Sequence, residues 1–193
     1  MNNENLREHA EGAVRTLLRW INEKECHRPG LEDTPARVVR ALKEMTVGYH
    51  QDPKEILGTV FEEKYDEMVL VQGIRYHSMC EHHMMPFSGT ADVAYIPNSR
   101  GLIVGLSKIP RLVECFARRL QVQERMTKQI AEALQEHLKP LGVGVVVRGH
   151  HACCEQRGVR SRNLMVTSDL RGVFREKPEV RAEFLSLARG GGS

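Results

Sequence analysis

Apolar residues near the start of the chain recur at the three- and four-residue spacing of an α-helix. The first such stretch spans residues 6–24 and carries its apolar side chains on one face: Leu6, Ala10, Ala13, Val14, Leu17, Leu18 and Ile21. After a turn containing Pro29 and Gly30, Thr34 is predicted to cap a second helix, with Pro35 at its first position. The pattern therefore predicts an N-terminal helical region, which we assign to residues 1–60.

From about Met68 the apolar pattern changes to that of strands, with alternating or continuous apolar runs between turn residues. Strands are predicted at residues 68–76, 90–97, 101–106, 142–154 and 163–174, and helices at residues 108–120, 121–140 and 177–189. Strands that come in pairs around a helical block favour an α+β fold, in which an antiparallel sheet carries two long helices on one face. We assign residues 61–189 to this domain and the Gly-Gly-Gly-Ser sequence at 190–193 to a flexible tail.

The composition is that of an ordinary globular protein, because 193 residues with 41% hydrophobic and 27% charged content suffice for one sizeable core. No run of about eighteen apolar residues is present, so we expect no membrane partner. The first residues lack the basic-then-apolar layout of a secretion signal, and the five cysteines follow no regular spacing. These features favour a reducing cytoplasm, where thiols are available to a metal.

Histidine and cysteine are concentrated in two short stretches. The first, "HSMCEHHMMPF" at residues 77–87, contains Cys80 and His83 in a C-x-x-H spacing, which lets two side chains of one turn converge on an ion. The second, "GHHACCEQRG" at residues 149–158, lies at the end of a different predicted strand. Two such stretches far apart in sequence predict one shared metal site, and thiolate with imidazole suits zinc.

The predicted strand at residues 142–154 divides the second stretch between two faces. Alternate side chains of a strand share a face, so His151 and Cys153 are expected to point one way and His150 and Cys154 the other.

The residues alone leave the ligand set open. Cys80, His83 and Cys153 would leave a fourth position free for water, as in a catalytic site, whereas addition of Cys154 would close the site as in a structural one. A turn can equally present His82 or His83 to the ion.

The arginines are concentrated in "FARRLQVQER" and "EQRGVRSRNLMV", although the net charge is only +3. Such stretches are either solvated surface or a site for an anionic ligand. The pI of about 8.6 is below the level at which nucleic acid is the first expectation, so we expect no nucleic acid. Ser107 and Lys108 begin a predicted helix and suit an anion, because unpaired N–H groups and the helix dipole both favour negative charge there.

Several motifs together closely resemble the zinc-dependent GTP cyclohydrolase I family. They are "CEHHMMPFSG", "YIPN", "VGLSKIPRLVECFARRLQVQER", "HAC" followed by "RGVR", and "RAEFLSL", and they cover most of the chain. The resemblance implies a tunnelling fold that assembles into a homo-decamer with active sites between subunits. It also implies opening of the imidazole ring of GTP, release of C8 as formate and formation of 7,8-dihydroneopterin triphosphate.

The resemblance assigns the metal and proton-transfer residues. The zinc ligands are then Cys80, His83 and Cys153. His151 is the residue that protonates the purine nitrogen N7, and His82 assists proton transfer.

The resemblance also assigns the substrate contacts. Glu124 is the guanine anchor, because a carboxylate offers two acceptors to the N1–H and 2-amino donors of guanine. Gln123 is a neighbouring contact to the base and, with Ser107, is counted among the catalytic residues. The triphosphate and ribose contacts are Ser107, Lys108, Arg111 and Arg157, with Arg37 and Arg40 reaching in from an adjacent subunit.

Two other interpretations fit part of the pattern. One is a different tunnelling-fold enzyme of purine or pterin chemistry, such as a deazaguanine nitrile reductase, which would need NADPH rather than three metal ligands. The other is a structural zinc module with a basic face for nucleic acid, closed by Cys154 as fourth ligand. Few aromatic residues accompany the arginines, which disfavours the second interpretation.

Overall fold

The computed structural model describes residues 3–189, and the chain divides into two compact units after Thr46. The boundary that the sequence predicts after residue 60 therefore lies within the second unit of the structure, beyond a helical segment at residues 47–56. The predicted flexible tail at residues 190–193 lies outside the described residues.

The first unit contains a helical pair, as the apolar periodicity predicts. Helix α1 spans Asn3–Ile21 and helix α2 spans Thr34–Met45, with a 3-10 turn at Pro29–Leu31 between them. The cap of α2 is Asp33 rather than the predicted Thr34, and the side chain of Asp33 pairs with Arg37 at 2.9 Å instead of capping a backbone N–H. A carboxylate at this position is favourable because it faces the positive end of the helix dipole.

The second unit begins with a 3-10 turn at Val47–His50. Its helices are α3 (Pro53–Ile56), α4 (Lys108–Ala117), α5 (Gln123–Leu138), α6 (Ala152–Glu155), α7 (Val173–Glu176) and α8 (Pro178–Arg189). Its strands are β1 (Val60–Glu62), β2 (Val69–Cys80), β3 (Pro86–Ile96), β4 (Leu102–Val104), β5 (Leu120–Gln121), β6 (Gly142–His151) and β7 (Met165–Gly172). None of the helices described between residues 3 and 189 is long and apolar enough to cross a membrane.

The main sheet has five strands in the order β5-β2-β3-β6-β7, and its four long strands are antiparallel. Strand β5 is a two-residue addition that runs parallel to the end of β2, and β1 pairs with β4 in a separate ribbon. Helices α4 and α5 cover one face, where the buried side chains include Leu112, Met126, Ile130 and Leu134. The predicted α+β architecture, with two long helices on one face of an antiparallel sheet, is confirmed.

The opposite face of the sheet carries a second, smaller core that the sequence does not predict. Phe174 of α7 and Phe184 of α8 pack there edge to face, with ring centroids 5.4 Å apart, against Ala94 and Val146. The first face alone would leave these strand residues in water, so helix α8 completes the burial of the sheet.

A buried ion pair within the sheet holds Arg148 in position to bind the end of α8. Asp92 is 2% exposed, accepts a hydrogen bond from Gly73 N at 2.8 Å and forms a salt bridge with Arg148 of β6. The same guanidinium donates to the carbonyl of Ala188 at 3.1 Å. Gly73 lies in a β-bulge with φ 64°, and this conformation turns its N–H towards the carboxylate of Asp92.

The sheet topology brings the two Cys/His stretches together. Strand β3 lies between β2 and β6. Because the strands are antiparallel, the end of β2, the start of β3 and the end of β6 lie next to one another at one end of the sheet. Phe87 is paired with His151, and Cys80 is paired with Gln121 of β5, which leads directly into α5. Side chains from three distant parts of the sequence therefore meet here: the β2–β3 turn, the β5–α5 junction and the end of β6.

Candidate active site and metal centre

The first metal-ligand segment is the tight turn between β2 and β3. The amide of Cys80 donates to the carbonyl of Met85 at 2.8 Å, and the amide of Met84 donates back to the carbonyl of Cys80 at 2.8 Å. Met84 adopts the left-handed conformation, with φ 52°, to close this turn. The turn keeps Cys80 buried in the sheet edge and carries His83 three residues further on to the surface.

The second ligand segment is helical, which corrects the predicted strand at residues 142–154. Strand β6 ends at His151, and α6 begins at Ala152. The next pair in the register would place Ala152 opposite Pro86, which has no N–H to extend the ladder. The expected sharing of one strand face by His151 and Cys153 is therefore wrong, although Cys153 is still the buried thiol and Cys154 the exposed one.

Three ligand atoms converge between these segments. The Sγ atoms of Cys80 and Cys153 and a ring nitrogen of His83 lie within 4.8 Å of one another, and Cys154 is not part of the cluster. Burial, together with the nearby Cys80, raises the pKa of Cys153 to about 11, so a thiolate at neutral pH would require a cation beside it. Two cysteines and a histidine at this spacing fit a zinc site that keeps one position open.

His82 lies beside the cluster without joining it. Its Nδ1 is 3.8 Å from the sulfur of Cys80, and its side chain is 64% exposed. The ring can therefore reach a ligand in solvent next to the cluster while Cys80 stays buried.

An ion pair holds the turn against the start of α5. Both terminal nitrogens of Arg125 donate hydrogen bonds to the carboxylate of Glu81, one of them at 2.9 Å. This is the bidentate geometry that suits a guanidinium and a carboxylate. The hydrogen bond from Arg125 lowers the pKa of Glu81, and the carboxylate raises the pKa of Arg125.

His151 is held by contacts on both its face and its edge. Its ring stacks on buried Phe87, with centroids 4.6 Å apart and planes 5° from parallel, and its Nε2 is 3.0 Å from Oε1 of Gln123. Burial lowers the pKa of His151, and the nearby carboxylate of Glu124 opposes that shift. The imidazole is thus favoured in its neutral form, with a carboxylate close enough to stabilise a proton taken up during a reaction.

Gln123, the first residue of α5, is 1% exposed. Its amide nitrogen donates to the carbonyls of Val147 and Met165 and to the hydroxyl of Thr167, at 3.1 to 3.2 Å. The side chain belongs to the interior of the unit.

The remaining predicted substrate residues of this unit lie at its surface. Glu124, Arg111, Ser107 and Arg157 are exposed and Lys108 is half-buried. Ser107 occupies the predicted cap position of α4, but its hydroxyl does not bond the helix backbone. Among residues 3–189, Glu124, Lys108 and Arg111 form no ion pair. Arg157 donates to the carbonyl of Cys153 at 3.3 Å, which keeps it next to the metal ligands.

Arg37 and Arg40 belong to the first unit, on helix α2. Both are exposed, and Arg37 forms its ion pair with Asp33.

Three contributors to the site are not predicted by the sequence analysis. Phe87 lies inside the quoted His-rich stretch, but only the pairing of β3 with β6 shows that it faces His151. Glu81 and Arg125 are separated by 44 residues, and nothing in their local sequence couples them. A Glu within a ligand turn and an Arg at a helix start are each unremarkable without the fold.

The sequence matches the family model for GTP cyclohydrolase I over residues 10–189. It is 55% identical over 179 residues to the GTP cyclohydrolase 1 of Synechococcus sp. (strain JA-2-3B'a(2-13)), covering 92% of this chain and 77% of the relative. It is 50% identical over 184 residues to the GTP cyclohydrolase 1 of Campylobacter curvus (strain 525.92), covering 94% and 95%. Among solved structures it is similar to the apo form of the archaeosine synthase QueF-Like, with 16% identity and a TM-score of 0.39 over 55% of this chain and 95% of that one.

Proposed function

The chain belongs to the GTP cyclohydrolase I family, and from that premise we propose that it opens the imidazole ring of GTP by hydrolysis. The products are formate, from C8 of the purine, and 7,8-dihydroneopterin triphosphate. The observation that carries the proposal is the convergence of Cys80, His83 and Cys153 next to an immobilised histidine, His151. Hydrolysis at a purine carbon requires an activated water and a proton donor, and this edge of the sheet can provide both.

Zinc is the cofactor that the ligand set suits. When bound, it lowers the pKa of a water molecule and so supplies a nucleophile at neutral pH. Cys80 and Cys153 contribute two thiolates from buried positions, and His83 contributes an imidazole from the exposed side of the turn.

His151 is the proton donor to N7 in this mechanism. Its ring is fixed in orientation, and the carboxylate of Glu124 favours its protonated form electrostatically while burial disfavours it. Burial is the larger effect, so the pKa of His151 is lowered, and the carboxylate of Glu124 stabilises the proton that the ring takes up during the reaction. His82, exposed beside Cys80, assists proton transfer from the solvent side.

Glu124 provides guanine selectivity. Its carboxylate is exposed, has no ion-pair partner among residues 3–189 and is adjacent in sequence to Gln123, which contacts His151. A carboxylate can accept from N1–H and the 2-amino group of guanine, whereas adenine presents an acceptor at N1. The same residue therefore rejects ATP.

Cationic residues bind the triphosphate. Lys108 and Arg111, with the hydroxyl of Ser107, lie at the N-terminus of α4, where backbone N–H groups add to the positive potential. Arg157 contributes from beside the metal ligands. Arg37 and Arg40 are assigned to the triphosphate site of an adjacent subunit.

A homo-decamer with active sites between subunits is part of the proposal. Within the described residues β7 pairs only with β6, so its outer edge offers unpaired backbone groups to another copy. A cytoplasmic location is also proposed, because a reducing compartment preserves the thiols on which the site depends, and all five cysteines are free.

The test is incubation of the zinc-loaded protein with GTP in the absence of nicotinamide cofactors. We expect one formate per pterin formed, with the pterin followed by its ultraviolet absorbance, and no formate from ATP. Consumption of NADPH without formate would instead indicate a reductase, and the proposal would fail.

A further inference from the structure

The hydrogen-bonding network around Gln123 determines which way its amide points. Val147 and Met165 offer backbone carbonyls, which can only accept hydrogen bonds. The amide NH₂ must therefore face these carbonyls, and the amide oxygen, Oε1, must face His151. A flipped amide would set its oxygen against two carbonyl oxygens and lose both bonds.

Two threonine hydroxyls support the same orientation. Thr127 donates its one hydroxyl proton to the carbonyl of Gln123 at 2.8 Å, so in its 2.7 Å contact with Thr167 it can only accept. Thr167 therefore donates to Thr127, and its oxygen accepts from the amide nitrogen of Gln123 at 3.2 Å. All three neighbours of that nitrogen are acceptors.

This orientation dictates the proton position on His151. Oε1 of Gln123 is an acceptor, and it lies 3.0 Å from Nε2 of His151. The hydrogen bond exists only if Nε2 carries a proton, which leaves Nδ1 as the basic nitrogen of the neutral ring.

The backbone leaves space for this contact. A Cβ on Gly149 would lie 2.5 Å from Oε1 of Gln123 and 2.4 Å from the hydroxyl of Tyr76, closer than any side chain tolerates. The absence of a side chain at Gly149 thus allows the amide to reach His151 beneath β6. Stacking on Phe87 fixes the ring plane, and the contact with Gln123 distinguishes this orientation from the one flipped by 180° about the Cβ–Cγ bond.

We propose that Gln123 is a positioning residue that holds His151 in the tautomer protonated on Nε2, so that Nδ1 is the nitrogen through which His151 exchanges protons with the substrate. The catalytic part of this statement rests on the proposed function, whereas the tautomer does not. It replaces the expected contact of Gln123 with the base, because the side chain is 1% exposed and both ends of its amide are already bonded within the protein.

The tautomer is measured directly, without activity. In zinc-loaded enzyme labelled with nitrogen-15 histidine, solid-state NMR distinguishes protonated from bare ring nitrogens, and the His151→Gln variant identifies the signals of His151. We expect a protonated Nε2 and a bare Nδ1 at a pH where the ring is neutral. A proton on Nδ1 with a bare Nε2 would overturn the proposal whatever the enzyme's activity.

A pair of variants tests the role of the amide. Gln123→Met removes the acceptor and should give a mixture of tautomers, while Gln121→Met is the matched control. Gln121 is also 1% exposed, but its amide bonds Phe116 and Gln129 rather than His151. We expect Gln121→Met to keep the single tautomer, and an equal loss in both variants would contradict a positioning role.

Kinetics separate positioning from direct contact with the base. Gln123→Met should lower kcat on the order of tenfold or more with little change in KM, because substrate contacts remain. A raised KM with unchanged kcat and an unchanged tautomer would show that Gln123 binds the base instead. If the wild-type enzyme released no formate, the proposed function would fail while the tautomer measurement still stood.

Discussion

The candidate site has an inner half and an outer half, which differ in burial and in how firmly the fold holds their side chains. The inner half consists of Cys80, Cys153, His151 and Gln123, which are buried or half-buried and held by other parts of the fold. The outer half consists of the predicted substrate contacts Ser107, Arg111, Glu124 and Arg157, which are exposed. Groups that must be oriented for chemistry are thus fixed before a ligand arrives, whereas groups that recognise the ligand remain available to it.

The contrast has an energetic basis. Burial strengthens electrostatic effects and restricts rotamers, so an inner group acts in one geometry, and burial shifts the pKa values of Cys153 and His151. Exposed groups keep ordinary solvation and are ordered by the substrate that binds them. Changes in the inner half should therefore alter metal content or kcat, and changes in the outer half should mainly alter KM.

The largest effect is expected from removal of an inner metal ligand. Cys153→Ala should lose nearly all bound zinc and nearly all formate release, because its buried thiol is one of the three ligands proposed for the metal. The matched control is Cys154→Ala, one residue away and exposed, which should retain both. Metal analysis of the two purified variants checks this, and zinc loss in Cys154→Ala would mean a closed, structural site.

Next in size is the loss of His151, the proposed proton donor of the inner half. His151→Ala should keep its zinc but lower kcat about a hundredfold to ten-thousandfold, the usual range for a general acid. His150→Ala is the control, since His150 precedes it on β6 and has its Nδ1 3.5 Å from Glu155. Single-turnover formate release measures the difference, and loss of zinc from His151→Ala would instead make that residue a ligand.

A change in the outer half should appear in binding. Glu124→Ala should weaken GTP binding about tenfold to a hundredfold, the value of a charged hydrogen-bonding partner, with zinc unchanged. Glu136→Ala removes an exposed carboxylate from the same helix and should leave binding unaltered. Calorimetric titration with GTP checks both variants, and equal affinities would remove the guanine-anchor role from Glu124.

The smallest effect concerns the ion pair between Glu81 and Arg125, which joins the β2–β3 turn to the start of α5. Glu81→Gln should lower zinc affinity only a few-fold, on the scale of an exposed bidentate pair, and the effect should shrink at high salt. Arg125 depresses the pKa of Glu81 in the folded protein, so the pair contributes at neutral pH and its contribution is lost as pH falls through the depressed pKa, below the usual range of a glutamate.

The control for this pair is Glu62→Gln, which removes an exposed ion pair with Arg100 instead of one beside the metal turn. Competition with a zinc chelator at low and high salt compares the variants. If both lose the same zinc affinity, the Glu81–Arg125 pair has no specific effect on the turn.

Much of the architecture was predictable because it depends on local periodicity. The buried stripe of α5, for example, contains Met126, Ile130 and Leu134 at helical spacing, and each is fully buried. The convergence of Cys80, His83 and Cys153 agrees with the prediction of one site shared by the two stretches, although Cys153 lies on α6 rather than on the predicted strand.

The rest depended on pairings that no local pattern reveals. Termination of β6 at His151 follows from the position of Pro86 in a neighbouring strand. Burial of Gln123 depends on contacts with β6 and β7, whereas an amide at a helix start usually lies in solvent. The sequence of α8 likewise does not reveal that Phe184 is buried in the second core, because its partners lie on other elements.

The attachment of α8 limits how far the end of the chain can be shortened. The carbonyl of Leu187 accepts a hydrogen bond from the side-chain amide of Gln72 at 2.6 Å, and the carbonyl of Ala188 accepts one from Arg148 at 3.1 Å. A truncation that removes them would leave the guanidinium of Arg148 half-satisfied three residues before His151, on the strand that carries the proposed proton donor. Shortened versions made for crystallisation or fusion should therefore keep the helix through Arg189, even though the metal ligands lie elsewhere.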